Sequence, residues 1–208
     1  MVTRFALLKE LSALVPDDVL VLTSIGNNSG FWGQLKDREA NLFHLTMGMC
    51  SSTALGLSLA LPKRKIIALD SDGNLILNLG VLGTIANEAP KNLSIVVMDN
   101  QNYLGSNKNA PGMPTATGGK MNLESVAKGC GFESACTVED VAAFRAKIQS
   151  ALASDGPHFI RAQVEALDKD APKKSKRVPD PRENKYQFAS YIQKTEGVEI
   201  LGSGLGGG

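Results

Sequence analysis

The stretch "IIALDSDGNLILNLG", Ile66 to Gly80, decides how the chain is read. Apolar residues run into Asp70-Ser71-Asp72-Gly73-Asn74 and a second apolar run follows at once, the pattern of a buried strand, a tight turn and a buried helix. Two unrelated chemistries use such a turn. In one, Asp70 is a nucleophile that is itself phosphorylated. In the other, Asp72 is a ligand of a divalent ion clamped to a diphosphate.

Outward from the turn, strands and helices alternate. On the N-terminal side, Leu7, Leu8, Leu11, Leu14 and Val15 form one stripe of an amphipathic helix ending before Pro16, and "VLVLT" (19–23) reads as a strand. It runs into "SIGNNSGFWG", read as a polar loop that places backbone amides against a ligand. "LFHLT" (42–46) is another strand, and "GMCSSTALGLSLALP" (48–62) a helix of small residues. After the turn, one helix is expected near 75–88 and stops before Pro90.

"LSIVVMD" (93–99) is continuously apolar, as a central parallel strand covered on both faces requires. Some twenty residues without periodicity follow, "NQNYLGSNKNAPGMPTATGGK", read as a functional loop. Asn122 caps a short helix to about Gly129. Thr137, with Asp140 three residues on, resembles a capping box for a helix carrying Val141, Phe144, Ile148 and Leu152. "HFIRAQV" (158–164) is a last strand, and 168–185 a crossover to a final helix near Tyr186 to Lys194. The expected fold is α/β, a three-layer doubly wound parallel sheet with its ligand site at the carboxyl ends of the strands. Residues 1–195 are read as one domain and 196–208, ending in "GSGLGGG", as a flexible tail.

Composition narrows the function classes. Lys+Arg of 22 against Asp+Glu of 21 provides no global field for nucleic acid or an anionic membrane. Three cysteines, Cys50, Cys130 and Cys136, without CxxC spacing argue against a disulfide framework or a zinc or iron-sulfur site, and a cytoplasmic location is expected. They read as small buried fillers. His44 and His158 read as core or edge histidines, and Trp32, Lys36 and Arg38 as an exposed loop with one anchoring aromatic.

The phosphorylated-aspartate chemistry resembles that of the haloacid dehalogenase-like phosphatases, whose DxDGT motif would be Asp70 to Asn74 here. The match ends with the motif, because no second acid follows Asp99 where that family completes its Mg2+ site. The second chemistry resembles the diphosphate-binding domain of the thiamine-diphosphate-dependent decarboxylases and carboligases, whose motif is GDG, about 25 residues, then NN. Here Ser71-Asp72-Gly73 is followed by 25 residues (74–98) and Asp99-Asn100-Gln101-Asn102-Tyr103. One strand–helix–strand step takes about that many residues and brings neighbouring strand ends together.

The resemblance implies thiamine diphosphate and Mg2+ as cofactors, with Asp72, Asn100 and Asn102 as metal ligands. It implies cofactor contacts from Gly26, Asn27 and Asn28, from Leu45 and Met47 in "LTMGMCSS", and from Ser71, Gly73, Asn74, Tyr103 and Leu104. The carbonyl of Leu45 would meet the aminopyrimidine and Met47 would wedge beneath the cofactor. Ser71 replaces a glycine and Asp99 an asparagine of the family pattern. Within the family the likeness is to the small (beta) subunit of sulfopyruvate decarboxylase and the equivalent half of phosphonopyruvate decarboxylase, through "MGMCSSTALGLSLAL", "DSDGNLILNLGVLGTIANEAPKNL" and "DNQNY". In that family a glutamate on a separate pyrimidine-binding domain activates the cofactor. This chain has no room for that domain. The resemblance therefore implies a partner subunit that supplies the glutamate in a hetero-oligomer, a small 2-oxo acid as substrate, and no catalytic residue on this chain. The non-enzymatic alternative is a regulatory subunit.

Overall fold

The computed structural model describes residues 1–103, 112–172 and 180–200. The six strands are β1 (Leu20–Ser24), β2 (Asn41–Leu45), β3 (Ile66–Ser71), β4 (Leu93–Asp99), β5 (Ser134–Val138) and β6 (His158–Gln163), all parallel, in the order β2-β1-β3-β4-β6-β5. Every residue of β1 and β4 is buried, as continuous apolar runs demand when both faces are covered. Side chains alternate between two cores. Leu20, Leu22, Ile66, Ala68, Ile95 and Val97 face one. Val21, Ile67, Leu69, Val96 and Met98 face the other.

The helices α1 (Arg4–Leu14), α2 (Asn27–Leu35) and α7 (Val141–Ala153) cover the second core. Across the sheet lie α3 (Cys50–Ala60), α4 (Asp72–Ile76), α5 (Val81–Glu88), α6 (Leu123–Gly129) and α8 (Pro181–Glu196). The result is the expected three-layer, doubly wound architecture. The chain passes from β1 outward to β2 and then returns to β3 on the other side. The crevice where it reverses, at the carboxyl ends of β1 and β3, is where such sheets bind ligands.

Edge strand β2 is blunted by α8. Asn184 accepts from the Phe43 N–H at 2.7 Å and donates to the Asn41 carbonyl at 3.0 Å, so one buried amide occupies the strand's open hydrogen-bonding side. No helix among the described residues is long and apolar enough to cross a membrane.

Several local expectations change. The polar loop 24–33 is largely helix: α2 starts at Asn27, directly after Gly26, whose φ of 100° only glycine adopts readily. The single helix near 75–88 is two, joined by tighter turns in which Asn78 N–H donates to the Leu75 carbonyl and Val81 N–H to that of Asn78, while the Asn78 side chain donates to the Gly48 carbonyl at 2.9 Å. Thr137 is not a helix cap. It belongs to β5, a strand too polar and short to show in the pattern, and Asp140 caps α7 by accepting from the Ala143 N–H at 2.8 Å. The expected tail at 196–208 begins inside the last residue of α8, and 201–208 lie outside the described residues.

Candidate cofactor and metal site

The ends of β1, β3 and β4 enclose a cavity of about 520 Å3 lined by Arg4, Gly26, Asn27, Ser71, Asn74, Asn100, Asn102, Tyr103 and Asp168, among others. Seven of the residues singled out from sequence thus meet at one place. Asp72 lies beneath the lining and is fully buried, and Gly73 sits under Tyr103. A Cβ on Gly73 would come within 2.7 Å of the Tyr103 ring, so the aromatic closes over the turn only because the side chain there is hydrogen. Ser71 has φ of −125°, ordinary extended backbone, which is why serine fits where the family has glycine.

Asn28 is not in the lining. Its amide nitrogen is turned into the fold, donating to the Asp70 carbonyl at 2.8 Å and so tying α2 to β3. Nor are Leu45 and Met47. The Leu45 carbonyl already accepts from the Ile25 N–H at 2.9 Å, beyond a bulge where His44 takes φ of 57° and donates its N–H to Ser29 Oγ. Met47 is 39% exposed, on the turn held by Asn78. Leu104 lies outside the described residues.

At the floor of the cavity one atom of the Asn100 side-chain amide lies 3.0 Å from the Asn102 carbonyl and 3.3 Å from Asp72 Oδ1. With the amide oxygen at that point, three acceptors would face one another with no hydrogen to share, and a cation would have to sit among them. Neighbouring oxygens around octahedral Mg2+ are about 2.9 Å apart, so the spacing suits that ion. With the amide turned over, its nitrogen donates to the same two oxygens and its oxygen accepts from Arg4 Nη2 at 3.2 Å, an arrangement that needs no metal. No group of three or more His, Cys, Asp or Glu that could hold a metal occurs among the described residues.

The other carboxylate oxygen of Asp72 is held by residues that sequence reasoning passed over. Asp72 Oδ2 accepts from Thr115 Oγ1 at 2.6 Å, and Thr117 Oγ1 lies 3.2 Å from the same oxygen. Thr117 Oγ1 also lies 2.8 Å from Asp99 Oδ1, to which it donates. These threonines come from the far end of the aperiodic loop, which returns as an antiparallel ladder: Tyr103 N–H donates to the Met113 carbonyl and Thr115 N–H to that of Gln101. Asp99 does not reach the cavity. It accepts from Arg161 Nε at 2.6 Å, a buried ion pair across β4 and β6 that accounts for an acid at this position. Burial raises the Asp72 pKa, against the Thr115 hydrogen bond and with Asp99 adding to the rise, and a divalent cation at Oδ1 would oppose that shift.

Asp70 settles the phosphatase alternative. It is 1% exposed, with Oδ2 accepting from Ser51 Oγ at 2.8 Å and Oδ1 from its neighbour's N–H at 2.9 Å, so no phosphate ester can approach it. Burial lifts its pKa from 3.8 to about 6, against the Ser51 hydrogen bond. Between those values the folded protein keeps a proton that the unfolded chain has released, so stability falls as pH rises through this window and levels off above about 6. The charged form at neutral pH costs on the order of 3 kcal/mol. Asp70→Asn, measured by urea unfolding in chelator at several pH values, is expected to gain up to about that much at pH 7.5 and to flatten the decline. A variant as pH-dependent as the parent would contradict the assignment.

The comparisons agree with this geometry. Residues 10–162 match the family described as thiamine pyrophosphate enzyme, C-terminal TPP binding domain. The chain belongs to that family. It is 36% identical over 162 residues to sulfopyruvate decarboxylase subunit beta of Methanocaldococcus jannaschii, covering 77% of this chain and 83% of that one. It is 32% identical over 172 residues to phosphonopyruvate decarboxylase of Streptomyces viridochromogenes, covering 78% of this chain but 40% of that one. The X-ray structure of a putative thiamin diphosphate-dependent enzyme from Mycobacterium smegmatis superposes with a TM-score of 0.65 at 22% identity, covering 79% of this chain and 32% of that one, and so shares the fold. The chain spans about a third of that structure and well under half of the phosphonopyruvate enzyme, yet most of the sulfopyruvate decarboxylase subunit.

Proposed function

We propose that residues 1–195 form the thiamine-diphosphate-binding small subunit of a two-subunit, cytoplasmic 2-oxo acid decarboxylase, and that the cofactor's diphosphate is held here through Mg2+. The observation that carries the metal is that Asp72 Oδ1 and the Asn102 carbonyl lie 3.3 and 3.0 Å from the same atom of the Asn100 amide, so that turning its oxygen there presents three oxygens to one point. Hard oxygen donors of this kind suit Mg2+, and the diphosphate and water complete its shell. Phosphate oxygens would take the free N–H groups at the start of α2, after Gly26. α4 has only five residues, so the nine-residue α2 supplies more of the helix field than the segment singled out from sequence.

When bound, the cofactor serves as the electron sink for loss of CO2 from the 2-oxo acid. This chain's part is to bind and orient it. Thr115 and Thr117 lock the Asp72 carboxylate, the Asn102–Tyr103 strand end closes one wall, and Gly73 leaves room for Tyr103. Leu45 and Met47 would meet the cofactor's organic part on the turn beside the cavity. Among the described residues no glutamate lines the cavity. The activating glutamate is therefore assigned to a pyrimidine-domain partner chain, in keeping with the name "subunit beta" of the Methanocaldococcus relative. Ile25, Met47, Met49, Leu77, Tyr103 and Met113 are exposed apolar residues on segments that follow strand carboxyl ends, an arrangement suited to a chain docking over the site. The substrate is read as a small anionic 2-oxo acid of the sulfopyruvate or phosphonopyruvate kind.

The test is calorimetry with thiamine diphosphate and Mg2+, paired with CO2 release from sulfopyruvate. The chain is expected to bind cofactor much more tightly with the metal than in chelator, and to release CO2 only once the partner chain is added. Turnover by the chain alone, or no cofactor binding by the assembled complex, would contradict the reading.

A further inference from the structure

Arg4 is the least expected occupant of the cavity. It opens α1, fixed at the sheet's carboxyl end by the Val2–Val164 bridge and by Thr3, whose hydroxyl caps the helix and donates to Asp170 at 2.7 Å. The residue is 6% exposed, its side chain lines the cavity, and its Nε has no hydrogen-bond partner. A guanidinium stays charged in a protein, and a buried charge short of partners is costly. Asp168 and Asp72 act on it from nearby, and Asp168 also leaves its buried Oδ1 without a partner.

The Asn100 amide connects this cation to the metal site. Without metal, the amide oxygen can accept from Arg4 Nη2 at 3.2 Å. With a cation among the three oxygens the amide must face the other way, and its nitrogen then lies against Arg4 Nη2, donor against donor. Loading the metal thus takes an acceptor away from a guanidinium that already has an unpartnered Nε. We propose that Arg4 is an anion clamp for the diphosphate, released to it when the metal turns the Asn100 amide. Guanidinium binds phosphate oxygens through two parallel N–H donors, and the cavity that Arg4 lines is the one that Gly26 and Asn27 enter at the start of α2. The proposal rests on the reading that this cavity takes a Mg2+-diphosphate group.

The test is calorimetry of the full chain with inorganic diphosphate, in Mg2+ and in chelator, alongside thermal unfolding of the ligand-free protein. Arg4→Met is expected to weaken binding in Mg2+ by about 10- to 100-fold. In chelator, where Asn100 retains Arg4, the difference should shrink to a few-fold. The ligand-free melting temperature should not fall, since an apolar side chain replaces a poorly partnered charge. Should Arg4→Met fail to fold, Arg4→Lys carries the test. It keeps the charge but loses the planar fork, and is expected to bind about 10-fold more weakly in Mg2+. Parental affinity in the Arg4 variant, with Asp72→Ala impaired, would overturn the clamp and leave the metal reading standing. Parental affinity in Asp72→Ala, or no diphosphate binding by the parent, would overturn the metal reading and the clamp with it.

Discussion

Asp72→Ala is expected to lower the affinity for thiamine diphosphate in Mg2+ by about 10²- to 10³-fold, measured by calorimetry on the assembled complex. The carboxylate is the only formal charge among the three converging oxygens. Removing one partner from a buried, charge-compensated site costs about 3–5 kcal/mol, and the lower part of that span corresponds to this range. Binding measured in chelator should change little, because the loss is of metal and not of surface for the coenzyme. The Asp72 side chain is fully buried and its Oδ2 accepts from Thr115, so alanine also takes that hydroxyl's acceptor away. Asp72→Asn, which keeps that contact, separates the two effects: metal affinity should still fall while the fold is retained. Unchanged affinity in both variants would remove Asp72 from the site.

The second large effect lies behind the site. The Arg161 side chain is only 8% exposed and that of Asp99 fully buried, and they meet at 2.6 Å. Arg161→Met should destabilise the protein by about 3–5 kcal/mol in urea unfolding, because it strands a carboxylate between two central strands. Asp99→Asn together with Arg161→Met should recover most of that loss, since the asparagine is neutral and can still accept from Thr117 and the Gln101 N–H. Additive losses in the double variant would mean that the pair is not coupled. The single variant is also expected to bind metal more weakly, through the chain Asp99, Thr117, Asp72.

What the sequence made legible followed from burial. The runs 66–71 and 93–99 are apolar on both faces, and their spacing put Asp72 and Asn100 at adjacent strand ends, where they meet. Polar residues whose role is set by tertiary contact left no such signal. Thr115 and Thr117 sit in an aperiodic stretch and become informative only once the loop pairs back on 101–103. Arg4 looks like any polar residue opening an amphipathic helix, and Asp168 like one charge of a mixed crossover, until the bridge of Val2 to Val164 brings both to the cavity. The Gly26-Asn27-Asn28 run reads as a loop, yet α2 starts at Asn27, and of the three only Gly26 and Asn27 line the cavity. Asparagine and glycine favour loops locally, whereas here packing of Trp32 and the Asn28–Asp70 contact hold them in a helix.

The central claim is that one divalent cation is gripped by Asp72, Asn100 and the Asn102 carbonyl. A crystal of the complex grown with Mn2+ and thiamine diphosphate tests it most directly, by the anomalous difference map. A peak about 2.0–2.3 Å from Asp72 Oδ1, Asn100 Oδ1 and the Asn102 carbonyl, in contact with the diphosphate, is the expected result. Bound diphosphate with no peak there, and the Asn100 amide nitrogen still turned toward Asp72, would contradict it.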